Sequence, residues 1–177
     1  MLQLTPINGT LLGAVMLAAL IDLTSRKIPN WLVLSGLCLS ISLHLLNDSH
    51  HFPLAWLGGA ATGFFFFLPH YLMRGMAAGD VKLMAMVGSF TGPVLALKIG
   101  LISFLFGGAM ALIIVIFNRR LGDTIVNVRF LLTPILLRMV GLPVQPLTLP
   151  TGTSVGSLPY GVAIAFATLL TLMLISV

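Results

Sequence analysis

Six apolar runs, most of them joined by links of a few residues, limit what this chain can fold into. They lie near residues 7–24, 31–47, 54–73, 82–97, 99–117 and 155–176. Each is long enough, or nearly so, to cross a hydrocarbon core of about 30 Å, which takes about 20 helical residues. Backbone inside a bilayer must satisfy its own hydrogen bonds, so such runs become helices. The expected fold class is all-α, a polytopic membrane helix bundle with about six transmembrane helices, forming a single domain over residues 1–177. Composition agrees, because 58% hydrophobic residues, 7% charged residues and a mean hydropathy of +1.11 lie outside the range of soluble domains. The fourth run is the shortest, and Gly92-Pro93 interrupts it, which predicts a distorted or partly re-entrant helix there.

The formal net charge is +5, but the nine Lys and Arg residues are spread thinly between apolar runs and form no stripe that would hold nucleic acid. They carry topology instead. Arg26 and Lys27 follow the first run, Arg74 and Lys82 bracket the third link, and Arg119, Arg120, Arg129 and Arg138 lie between the fifth and sixth runs. If the helices alternate in direction, these residues share one side, with Lys98 as the exception. That side is expected to be cytoplasmic, with both termini facing outward. The segment from Leu121 to Pro150 reads as an amphipathic helix lying in that interface. Met1 to Asn8 carries no basic residue and no small-residue cleavage site follows the first run, so the first helix is expected to stay in the mature protein.

All four acidic residues are aspartates, at positions 22, 48, 80 and 123. Asp22 stands at the cytoplasmic end of the first run and Asp80 just ahead of the fourth, so the two are expected at one membrane depth. A charged group within a membrane helix costs roughly 2.5–3.5 kcal/mol at the helix centre on translocon scales, which makes each of these a functional candidate. Two carboxylates sharing a poorly solvated cleft cannot both ionise readily, and the pair holds one proton over a wide pH range. An aspartyl protease works from that state: the ionised member activates a water and the protonated member polarises the scissile carbonyl. Such chemistry requires neither metal nor cofactor.

Other residues take shaping roles. Gly79, beside Asp80, allows another backbone to approach closely. Lys82, two positions on, does not share a helix face with Asp80 and is read as an anchor for the loop at the interface. Ile28-Pro29-Asn30 is a tight turn that starts the second helix and fixes the position of Asp22. Pro159-Tyr160-Gly161 breaks the chain near the last helix, and its tyrosine is a candidate for lining the cleft. Simpler roles exist for both aspartates: an ion pair with Arg26 for Asp22, and an N-cap of the fourth helix for Asp80. Asp48, His50 and His51 read as a solvated outward turn rather than a metal site, and Asp123 as a partner of Arg119 or Arg120 or a cap of the next segment. The single Cys38 excludes a disulfide or a cysteine-based zinc site within one chain. A small proton- or cation-coupled transporter using Asp22 and Asp80 is the competing class, but it needs the carboxylates strung across the membrane rather than at one depth.

Asp22 followed by Arg26-Lys27-Ile28-Pro29-Asn30, then Ala78-Gly79-Asp80-Val81-Lys82-Leu83, then Leu158-Pro159-Tyr160-Gly161 resembles the type IV prepilin peptidases in motif order over essentially the whole chain. The resemblance implies that Asp22 and Asp80 are the catalytic pair of a membrane aspartyl endopeptidase. It implies cleavage of leader peptides from prepilins and pilin-like proteins at the cytoplasmic face of a bacterial inner membrane. Ala77 stands where the signature has its first glycine. The first two runs are joined by a few residues and lack the zinc-binding cysteine insert of the large members. The chain thus looks like the small, peptidase-only branch serving Flp-type tight-adherence pili, which implies neither N-methylation nor its methyl-donor cofactor. The resemblance leaves the oligomeric state open.

Overall fold

The computed structural model describes residues 5–46, 53–73, 75–117 and 158–175, together with Gly122, Val126 and Thr133. The elements are helical throughout: α1 (Pro6–Ser25), α2 (Asn30–Leu46), α3 (Leu54–Leu72), α4 (Ala78–Thr91), α5 (Pro93–Phe117) and α6 (Tyr160–Ile175). The all-α expectation holds for the described residues. Of these helices, α1 and α5 are long and apolar enough to cross a membrane, and α2 and α6 are shorter apolar helices. Many large side chains face outward, among them Leu20, Leu34, Leu101 and Leu105. Apolar surface on this scale suits lipid rather than water.

Local chemistry sets the helix ends that matter here. The Thr5 hydroxyl accepts from the Asn8 N–H at 3.3 Å and Pro6 occupies the first turn, so α1 starts with a satisfied cap. It stops at Arg26, whose φ of 50° is left-handed, while the Arg26 N–H donates to the Asp22 carbonyl at 2.9 Å. Two boundaries differ from the expectation. Asp80 does not precede the fourth helix but stands within its first turn, since α4 begins at Ala78. Gly92-Pro93 does not kink a continuous helix: it ends α4 and starts α5. Gly92 turns the chain at φ 78°, and Pro93, without an N–H, is suited to a helix start and not to a helix interior. Residues 93–97 accordingly belong to α5.

Contacts divide the chain into two compact units, Met1–Gly107 with Leu158–Val177, and Gly108–Ser157. The second holds the end of α5, and the interfacial helix expected over Leu121 to Pro150 lies almost wholly outside the described residues. In the first unit α4 is the core helix. Leu83, Met84, Met86, Val87 and Ser89 are fully buried, and Val81, Gly88 and Phe90 nearly so. A helix buried over most of its surface needs neighbours on several sides, and α1, α2, α3 and α6 all pack on it.

Small residues set how close those neighbours come. A Cβ on Gly59 would run into the Gly88 carbonyl, one on Gly88 into the Gly59 carbonyl, and one on Gly63 into the carbonyl of Met84. Gly59 and Gly63 form a GxxxG pair on α3, the spacing that lets helix backbones touch in membranes. Gly36 of α2 similarly makes room for the Met86 side chain. The phenylalanine run of α3 divides by face. Phe67 is fully buried and stacks on Phe104 of α5 at 4.9 Å, whereas Phe64 and Phe65 are exposed.

Candidate active site

Asp22 near the end of α1 and Asp80 in the first turn of α4 line one cleft of about 240 Å³, and both are almost fully buried, at 5% and 4% exposure. The cleft is also lined by the cations Arg26, Lys27 and Lys82 and by the 77–79 stretch. Each carboxylate is held differently.

The Asp22 carboxylate accepts from the backbone N–H of Gly161 at 2.8 Å, a bond between residues 139 positions apart. Gly161 lies in the first turn of α6, where N–H groups have no partner within the helix and the dipole is positive. An anionic oxygen is what such a terminus binds best. Glycine leaves room for this approach, since a Cβ on Gly161 would stand 3.0 Å from Asp22 Oδ2 and 3.1 Å from its Cβ, close enough to press on the carboxylate. Arg26 contributes its backbone to the end of α1 and an exposed side chain to the cleft.

Asp80 is held from within its own turn. Its Oδ2 accepts from the Ala77 N–H at 3.2 Å, and its own N–H donates to the Ala77 carbonyl at 3.2 Å. Ala77, and not Asp80, is thus the cap residue, and Asp80 occupies the third helical position. Ala77 has φ −81° and ψ 152°, an extended conformation open to any residue, so the alanine is accommodated without strain where the signature has glycine. Asp80 stands in the first turn of α4, buried in the same cleft as the Asp22 carboxylate.

Gly79 is needed for a close approach. A Cβ there would lie 3.2 Å from the Ile28 Cβ and 3.5 Å from the Ile28 nitrogen, so the first turn of α4 lies against the turn linking α1 to α2. A second tie joins the same segments, as the Lys82 ammonium donates to Asn30 Oδ1 at 2.9 Å across 52 positions. Lys82 is thereby oriented by Asn30. The Pro29 carbonyl accepts from the Leu32 N–H at 3.2 Å, which closes the turn that starts α2.

The third motif divides by residue. Gly161 reaches Asp22, and the Pro159 carbonyl accepts from the Val162 N–H at 3.2 Å at the start of α6. Tyr160 packs against α5. Its hydroxyl donates to the Ser103 carbonyl at 3.2 Å, and its ring packs on Gly107 and on Phe67 and Phe104. Sequence reasoning did not find the Gly161 N–H as the holder of Asp22, Ile28 as the surface under Gly79, or the Asn30–Lys82 bond. The motif residues themselves were the available signal, without the pairing. Asp48, His50, His51 and Asp123 lie outside the described residues.

The family model of the type IV leader peptidase family matches residues 10–112, a span that contains Asp22, the 26–30 turn and the whole of α4. Comparison with curated proteins and with solved structures gives no match.

Proposed function

The chain belongs to the type IV leader peptidase family, and from that premise we propose that it is an aspartic endopeptidase whose catalytic pair is Asp22 and Asp80. The observation that carries this reading is the meeting of two nearly buried carboxylates, from separate helices, in one cleft. The proposed substrates are Flp-type prepilins and pilin-like proteins, cut to remove a leader ahead of pilus assembly or secretion.

The different settings of the two carboxylates suggest their roles. Asp22, bonded at 2.8 Å by the N–H of a helix N-terminus, is the ionised member, and Asp80, whose bond from the Ala77 N–H is longer at 3.2 Å, is the protonated one. Asp22 takes a proton from water as the water oxygen adds to the scissile carbonyl carbon, while Asp80 gives its proton to the carbonyl oxygen. The resulting diol returns a proton to Asp80 as the C–N bond breaks, and the nitrogen leaves with the proton held by Asp22. Both carboxylates finish as they began, and the cycle uses no metal or covalent intermediate.

The proposed topology is a six-span bundle in a bacterial inner membrane, acting as a single peptidase domain. Arg26, Lys27 and Lys82 line the same cleft as the aspartates, so basic residues from the end of α1 and the start of α4 gather at one end, which supports a cytoplasmic site. The leader then stays in the cytoplasm while the apolar helix of the substrate lies in the bilayer. Membrane depth thus delivers the scissile bond to the pair, and positioning of that kind lowers a barrier substantially.

The test is a gel-shift assay in cells that co-express the chain with a Flp-type prepilin. Asp22→Asn and Asp80→Asn are compared with the native chain at equal membrane levels. The native chain is expected to yield the shortened product, and either substitution to reduce it by about 10³-fold, the scale of lost acid–base catalysis. Undiminished cleavage by both variants would remove the catalytic pair.

A further inference from the structure

A second hollow, of about 360 Å³, adjoins the catalytic cleft. Its walls are Val33, Leu34 and Leu37 of α2 and Phe64 of α3, and Ala85 of α4 lines it between them. It arises because α2 and α3 both pack on α4, α2 through Gly36 and α3 through Gly59 and Gly63, which leaves the strip of α4 at Ala85 partly open. Asn30 and Lys82 line both the hollow and the cleft, and the bond between them marks where the two meet. Leu34 is 64% exposed, although the hollow would bury it under an occupant.

We infer that this hollow is the docking groove for the apolar helix of the substrate, the segment that follows the scissile bond. The inference rests on the leader-peptidase reading and deepens it by naming the seat. Three observations lead to this occupant. The lining is apolar except at the Asn30–Lys82 end, which suits a lipid-embedded helix with its polar end at the cleft. The small Ala85 side chain lets a second backbone come close, as small residues do at membrane helix interfaces. Continuity with the cleft makes a helix in the groove lead directly to Asp80, with the peptide ahead of its first turn at the carboxylates. Recognition of this kind reads side chains three and four apart along one helix face.

Cysteine cross-linking tests the inference. The chain carries Cys38→Ser in every sample, with Leu34→Cys or Leu37→Cys in the groove, or Leu101→Cys as a control on α5, 55% exposed and outside the groove. The probe is a Flp-type prepilin with single cysteines placed one by one through its apolar segment, reconstituted with the chain in phosphatidylethanolamine and phosphatidylglycerol vesicles. Disulfide links are expected from Leu34→Cys and Leu37→Cys at least tenfold above the control, at substrate positions that repeat every three to four residues. Equal linking from Leu101→Cys, or no linking from the groove, overturns the inference. Cleavage of the same prepilin by the native chain is followed in parallel. Linking without cleavage would retain the groove and remove the peptidase reading, and cleavage without linking would do the opposite. As a second check, Leu34→Trp should raise KM several-fold with kcat nearly unchanged, and an unchanged KM would count against the groove.

Discussion

Asp22 and Asp80 share a cleft but are secured in opposite ways. Asp80 is held within four residues, by the N–H of Ala77 at the start of its own helix. Asp22 is held by the N–H of Gly161, which reaches it from the far end of the chain. The first arrangement forms wherever α4 forms. The second exists only when α1 and α6 have packed together. The proposed catalytic pair is thus half local and half tertiary, and assembly of the bundle completes it. A carboxylate pair that needs the whole bundle is not assembled in a partly folded chain.

The sharpest way to break this contrast is Gly161→Ala. The added methyl would press on the Asp22 carboxylate, while Asp80 and its cap lie outside the change. The carboxylate must give way by a few tenths of an ångström, a fraction of the 1 Å misplacement that costs on the order of 10²-fold in rate, so kcat for prepilin cleavage is expected to drop by about tenfold at unchanged protein levels. Titration probes the other carboxylate. The proposed role of Asp80 requires its proton, and two carboxylates sharing a poorly solvated cleft hold one proton between them over a wide pH range, so cleavage should fall once rising pH ionises the pair, tenfold per unit beyond that point. A rate that stays level to pH 9 would remove the proton-donor role.

Two single-methyl changes beside Asp80 sharpen the comparison further. Gly79→Ala puts a methyl against Ile28 at a spacing that requires the turn to shift by a few tenths of an ångström, and a few-fold loss of cleavage is expected. Ala77→Gly should change activity by less than about twofold, because residue 77 is extended, glycine adds no needed freedom there, and the N–H to Asp80 is retained. Initial rates on the same prepilin would measure both.

What could be read in advance follows the same division. The all-helical class was legible because apolar runs of this length leave few alternatives. Asp80 was legible as a residue at the start of α4, though its helix begins one turn earlier than hydropathy suggests. Ala78 and Gly79 are weakly apolar, and the cap lies in backbone geometry. Gly92-Pro93 was read as an interruption within one distorted helix and not as a boundary between two, because a window of about 20 residues averages across it, whereas a positive φ and a missing N–H act at single positions. Hydropathy likewise does not show the backbone contacts of Gly59 and Gly63 with α4, which depend on the partner helix. The Asp22–Gly161 bond was out of reach for the same reason: both residues stood out, but no local rule pairs an aspartate with an amide 139 positions away.

The brevity of α4 has a consequence for the solvent of the reaction. Its 14 residues rise about 21 Å at 1.5 Å each, against a hydrocarbon thickness of about 30 Å. On the proposed topology this mismatch falls at a helix surrounded by protein, so the longer α1 and α5 meet the lipid while the core helix stops short of one membrane surface. A shortfall at the Asp80 end would leave a recess open to the headgroup side, and the water that the proposed hydrolysis consumes would reach the cleft through it without crossing hydrocarbon.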